Sequence, residues 1–188
     1  YSMIIGITGT IGSGKDTVLD YLVNMGFARF SFSTLIREYA KEKGFAMDRQ
    51  SLEDAGDALR NEHGNDPIFA RKIIAEIDMK GIDKSAVGGI RQPWEIEEFR
   101  KHGDFYLIAV DADQRKRFER TSRRGGATDA VNFEQFKKFD EKEYNGEGSR
   151  HQQIKKTMEL ADFTITNNAS YDDLYQQIDD ILEKIRKD

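Results

Sequence analysis

The stretch Met3-Ile4-Ile5-Gly6-Ile7-Thr8-Gly9-Thr10-Ile11-Gly12-Ser13-Gly14-Lys15-Asp16-Thr17 decides the fold. Its first six residues form a continuous apolar run ending in glycine, which predicts a strand buried on both faces of a parallel sheet. Val18, Leu19, Leu22 and Val23 then recur at helical spacing, and Gly26 closes the helix. Between the two elements, Gly9 to Lys15 matches the pattern G-x-x-x-x-G-K. Glycines at those places let a backbone wrap around an anion, and the following helix presents its N-terminus to it. The reading is therefore a phosphate-binding loop. Gly9, Thr10, Gly12, Ser13 and Gly14 form its cradle, and Lys15 reaches the β- and γ-phosphates of a nucleoside triphosphate. The lysine is followed by Asp16, with Thr17 after it. Both are expected near magnesium, Asp16 through water or simply as a negative charge at a helix N-terminus.

Outward from this loop, strands and helices alternate. Phe27–Phe32, Ser85–Gly89, Asp104–Val110 and Asp162–Thr166 read as strands, and helical stripes lie between them. That alternation predicts a three-layer α/β fold with a parallel sheet covered on both sides. Ser170 is expected to cap a last helix whose buried stripe is Leu174, Ile178, Ile181, Leu182 and Ile185.

Composition narrows the function. The chain has 188 residues, 38% hydrophobic and 34% charged, as expected of one globular domain. There is no cysteine, which excludes disulfides, thiolate metal sites and cysteine nucleophiles and suits a reducing cytoplasm. A net charge of -5 argues against general nucleic-acid binding. No apolar run approaches the ~20 residues that span a bilayer, and no leader pattern opens the chain. Tyr1-Ser2 are expected to lie outside the fold. His63, His102 and His151 lack metal-ligand spacing and are expected at the surface or at helix ends.

With these residues in place, the chain resembles the P-loop nucleoside monophosphate kinases and their dephospho-CoA-kinase-like relatives, over nearly its whole length. The resemblance implies a five-stranded parallel sheet in the order 2-3-1-4-5 with a helical lid insertion, in a single kinase domain. It also implies ATP and Mg2+, and small-molecule nucleotide partners. Phe30-Ser31-Phe32-Ser33-Thr34-Leu35-Ile36-Arg37 is similar to the family's second-strand turn and helix, implying Ser33 and Arg37 at the acceptor phosphate. Gly88-Gly89-Ile90-Arg91 occupies the place of a strand-end aspartate-glycine and its arginine. This implies that Arg91 grips that phosphate, with Glu95 orienting it and Arg60 as a third cation. The acceptor region is expected at about 33–80 and the lid at about 124–150. Arg120 and Arg124, ahead of Gly125-Gly126, are implied at the donor nucleotide, and Asn168 near its base. Arg115 and Lys116 read as a solvated helix face, and Phe133, Phe136 and Phe139 as packing for the lid helix.

Two departures shape the functional expectation. Gly88 stands where the family holds magnesium through a carboxylate, leaving Asp16, Asp111 or Asp113 as substitutes. Ser31 and Ser33 stand where dephospho-CoA kinases carry a base for a hydroxyl. Serine cannot easily act as a general base at neutral pH. The expectation is therefore transfer to an acceptor already bearing phosphate, a (deoxy)nucleoside monophosphate. Hydroxyl phosphorylation and a nucleotide-binding module with little turnover are the rivals.

Overall fold

The computed structural model describes residues 2–64, 66–124, 132–146 and 153–187. Strands β1 (Met3–Gly9), β2 (Ala28–Ser31), β3 (Lys84–Gly88), β4 (Asp104–Asp111) and β5 (Phe163–Thr166) form one parallel sheet in the order β2-β3-β1-β4-β5. This is the expected architecture. β1 lies centrally, with Ile7 beside Gly88 of β3 and Ile108 of β4. The chain reverses its direction of winding at β1, and in open α/β sheets such a switch point, at the carboxyl ends of the strands, is where ligands bind.

Alternation along β1 sends its side chains to two separate cores. Ile5 and Ile7 face α1 (Lys15–Asn24) and α9 (Tyr171–Lys187), packing with Val18, Leu19, Leu22, Leu174 and Ile178. Ile4 faces the other layer, built from α2 (Phe32–Lys43), α3 (Arg49–Glu62), α4 (Ile68–Lys80) and α5 (Pro93–His102). There Phe69, Phe32, Phe99 and Phe105 stack in that order, with successive centroid separations of 4.9, 6.5 and 5.1 Å. Gly6 on that face leaves room for the neighbouring side chains: an added Cβ would lie 2.7 Å from both Ile90 and Phe105.

Boundaries shift locally. α2 begins at Phe32, the residue expected to end the second strand, because Ser31 already has extended backbone suited to an N-cap. Past β4 come α6 (Gln114–Arg123), α7 (Phe133–Asn145) and a short α8 (Ile154–Glu159), which the hydrophobic pattern did not reveal. The last helix starts as expected, with the Asp173 amide donating to Ser170 Oγ at 3.2 Å. Gly125, Gly126, His151 and the remaining ends of the expected 124–150 insertion lie outside the described residues. Its described helix, α7, sits on α6 with Phe133 and Phe136 against Phe118, so those two aromatics serve packing as read. His63 caps α3 and His102 ends α5.

Candidate active site

The loop between β1 and α1 is shaped by contacts that exclude side chains. At Gly9, φ is 148° and an added Cβ would lie 2.0 Å from the Val110 carbonyl of β4. At Gly12, φ is 72° and a Cβ would meet the Arg117 carbonyl of α6 at 2.7 Å. Only glycine satisfies both the torsion and the space.

Four successive carbonyls of this loop are held by side chains. Lys15 Nζ donates to Thr10 O at 2.8 Å, and Arg117 Nη1 to Ile11 O at 3.0 Å. Arg120 Nη1 reaches Gly12 O at 3.5 Å, and Asn167 Nδ2 donates to Ser13 O at 2.8 Å. In a trans peptide the next residue's N–H points opposite to the carbonyl. The Gly12 and Gly14 amides are thus directed away from Arg117 and Asn167. Ser13 is wholly buried, and its Oγ has no hydrogen-bond partner.

The Lys15 ammonium is held well below its ordinary range, at about 8. Burial is the main cause, with the Arg91 guanidinium next; Asp16 and Glu143 oppose the shift, and Arg117 adds to it. Those influences map the neighbourhood. Arg91 follows β3, and Glu143 comes from the C-terminal half of α7. Asp16 is exposed and Thr17 half-buried in the first turn of α1, where a negative charge is favourable.

At Gly88 an added Cβ would lie 2.9 Å from Leu19 Cδ2, the end of a side chain on α1 that would have to shift to admit an aspartate. Asp111, at the end of β4, accepts from Thr10 Oγ1 at 2.6 Å and from the Ala112 amide at 2.8 Å. Asp113 is instead a helix cap, its Oδ1 accepting from the Arg115 and Lys116 amides. Among the described residues, no group of three or more His, Asp or Glu gathers as a metal cage. Magnesium would fit here as an ion carried mainly by triphosphate oxygens, with Asp16, Thr17 or Asp111 reaching its waters.

On the acceptor side the structure brings some expected residues together. Burial lowers the Arg60 guanidinium; Asp57 and Glu95 oppose this, and Arg91 reinforces it. Arg60 lies over the Phe69 ring at 4.9 Å, and its buried Nε has no hydrogen-bond partner. Arg91 thus acts on both Lys15 and Arg60, and Asp57 Oδ1 lies 3.6 Å from Arg60 Nη1. Arg37 and Ser33 are exposed on α2, with Ser33 Oγ 2.7 Å from Ser31 Oγ.

Glu95 has a structural task within the fold. It is 1% exposed, and its carboxylate accepts from the Ala70 amide at 2.8 Å, capping α4 from a neighbouring helix. Burial pushes it up to about 7, against the pull of the Ala70 and Phe69 amides and then Arg60. One of its two oxygens, Oε2, is thus committed to a helix N-terminus.

The donor side is also rearranged. Arg120 donates to Asn167 O at 2.7 Å as well as to Gly12 O, so it braces the loop through backbone. Asn168 Oδ1 accepts from the Asp113 amide at 2.7 Å, and Lys116 Nζ donates to Asn168 O. Arg124 is exposed at the end of α6. Arg115 and Lys116 are exposed as read, but Arg117 beside them is buried. The sequence reading gave neither Arg117 nor Asn167 a role in holding the loop. Spacing offered one signal: Arg117, Arg120 and Thr121 share a helical face, and that face meets Gly12.

A family model described as an AAA domain matches residues 5–146. A UPF0200 protein of Methanocaldococcus jannaschii is 32% identical over 185 residues, covering 97% of this chain and 90% of its own. The chain belongs to the UPF0200 family of AAA-domain proteins. A further UPF0200 protein, from Pyrococcus horikoshii, is 31% identical over 97% of both chains. A UPF0200/UPF0201 protein of Archaeoglobus fulgidus is 32% identical, and this UPF0200 chain spans only 56% of its length. Among solved structures, shikimate kinase from Acinetobacter baumannii superposes with a TM-score of 0.63 at 19% identity, covering 99% of this chain and 94% of that one. Dephospho-CoA kinase from Campylobacter jejuni gives 0.53 at 18%, covering 98% and 97%. The fold of this UPF0200 chain is therefore that of a P-loop kinase.

Proposed function

We propose that the chain transfers the terminal phosphoryl group of Mg-ATP to a small phosphate-bearing acceptor, a (deoxy)nucleoside monophosphate being the class that best suits the site. The observation that carries this reading is the run of cations from Lys15 through Arg91 to Arg60, leading from the P-loop toward α3. Two anionic substrates repel each other, and such a row offsets that repulsion along the line on which they must meet.

The triphosphate would lie against the loop amides and the start of α1, and Mg2+ would offset part of its charge, with Asp16, Thr17 or Asp111 reaching the ion through water. Arg91, near Lys15 but on a different strand end, suits the acceptor phosphate, and Arg60 extends the same field. An acceptor oxygen forms its bond to the γ-phosphorus as the bond to the bridging oxygen breaks, and ADP leaves. Lys15 and Arg91 stabilise the equatorial oxygens during that exchange. Arg124, Arg37 and Ser33 remain proposals at the margins of this site.

A second reading, phosphorylation of a hydroxyl, is favoured by Glu143. It supplies near Lys15 the carboxylate that the end of β2 lacks, and a carboxylate there could remove the hydroxyl proton. One assay separates the readings: ADP release from Mg-ATP with nucleoside monophosphates, deoxynucleotides, dephospho-CoA and simple alcohol acceptors, with Lys15→Ala as blank. Release dependent on a monophosphate, with Arg91→Ala raising the acceptor's KM ~10–100-fold more than the donor's, is the expected result. Release with alcohols alone, lost in Glu143→Gln, would promote the second reading. Silence across the panel with ATP binding intact would leave a nucleotide-binding module.

A further inference from the structure

We propose that Arg117 and Asp140 act as one positioning unit that holds the phosphate-binding loop in its present shape and so sets its affinity for the donor. The two side chains are each only 6% exposed. Arg117 meets the Asp140 carboxylate with both terminal nitrogens, Nη2 to Oδ2 at 2.8 Å. The same guanidinium donates through Nη1 to Ile11 O at 3.0 Å and through Nε to Ala112 O at 3.0 Å. Gln114 Nε2 adds a further donor to Asp140 Oδ2 at 2.8 Å. One buried group thus ties together the loop, the end of β4, α6 and α7.

The geometry gives this tie a direction. Ile11 O is partly shielded from water and takes its hydrogen bond from Arg117, so losing that donor weakens the hold on the peptide. Arg117 is that donor, and its fork is aimed by Asp140. The rigid planar guanidinium cannot swing without losing several bonds at once. Rotating the Ile11–Gly12 peptide would turn the Gly12 amide away from its present direction. The Asp140 carboxylate is hydrogen-bonded to Arg117 and Gln114, both on α6, and of these two Arg117 is the one that also bonds the loop. Phe136, one turn before Asp140, lies beneath the guanidinium at 5.9 Å from its centre, which seats the pair on the helix.

Three variants test this. Asp140→Asn removes the charge that aims the fork. Arg117→Lys keeps a cation for Asp140 but cannot also hold Ile11 and Ala112, and it serves if Asp140→Asn fails to fold. Phe133→Leu loosens the α6–α7 packing, where Phe133 meets Phe118 at 5.7 Å, without touching the pair. Amide hydrogen exchange in the nucleotide-free protein is expected to be ~10-fold faster at residues 11–14 in the first two variants and unchanged in the third. The Kd for Mg-ATP is expected to rise about 5- to 10-fold in the first two and less than about twofold in Phe133→Leu. Unaltered exchange at residues 11–14 in Arg117→Lys would overturn the proposal. So would equal weakening by Phe133→Leu at a matched loss of thermal midpoint. If the unaltered chain bound no ATP, the donor reading above would fall, while the exchange measurement would still decide this one.

Discussion

Lys15 sits among charges that a substrate would rearrange. Its ammonium is depressed to about 8 because burial strips its water and Arg91 stands close. In the free protein the proton is therefore lost as pH rises through about 8, whereas an unburied lysine keeps it to its ordinary 10.5. The phosphate site needs the charged form. Mg-ATP affinity is thus expected to fall between pH 7 and pH 9, with the Kd rising ~10-fold by pH 9; isothermal titration at three pH values checks this. The same shift has the opposite sign for folding. Between about 8 and 10.5 the unfolded chain holds a proton that the folded one lacks, so this group's contribution to stability rises with pH there. A Kd that stayed flat to pH 9.5 would mean that Lys15 does not carry the charge that binds.

Among the elements, the pairing of α1 with β3 decides what the site can hold. Leu19 projects from α1 into the space over Gly88, 2.9 Å from where a Cβ would stand. Gly88→Asp would both overpack this contact and bury a carboxylate, so the variant is expected to lose about 1–3 kcal/mol of stability. Urea denaturation checks it, and a second change, Leu19→Ala, should return part of the overpacking loss. The alternation of strands and helices was legible because each period depends only on a residue's near neighbours. α8 escaped because six residues offer little more than one turn of pattern. Glu95 was placed correctly on α5, but its partner, the Ala70 amide, lies 25 positions away on another helix. No local period encodes that.

Across the whole molecule, one sheet divides two cores, and both are anchored on β1. Loss of either core removes the platform for the P-loop, so the chain should unfold as a single cooperative unit. Phe99 is fully buried in the aromatic line between Phe32 and Phe105. Phe99→Ala is expected to cost about 3–5 kcal/mol. The far-ultraviolet signal of the whole fold and the fluorescence of Trp94, the single tryptophan, on α5 should move together. Separate transitions by the two probes would show that the two sides of the sheet unfold independently.

The amino-acid sequence by itself determined the phosphate-binding loop, the α/β class and the presence of five strands. Glycine spacing and hydrophobic period are written in consecutive residues, and backbone sterics translate them directly. The family resemblance supplied the strand order. Only the tertiary structure decided which charges meet. Arg117 and Arg115 are neighbours in sequence, yet one is buried on Asp140 and the other is exposed on α6. Thr10 reaches Asp111 across 101 positions, and Asn167 reaches Ser13 across 154. Those pairings depend on how the helices close over the strand ends, and such closure is a property of the packed chain rather than of any segment of it.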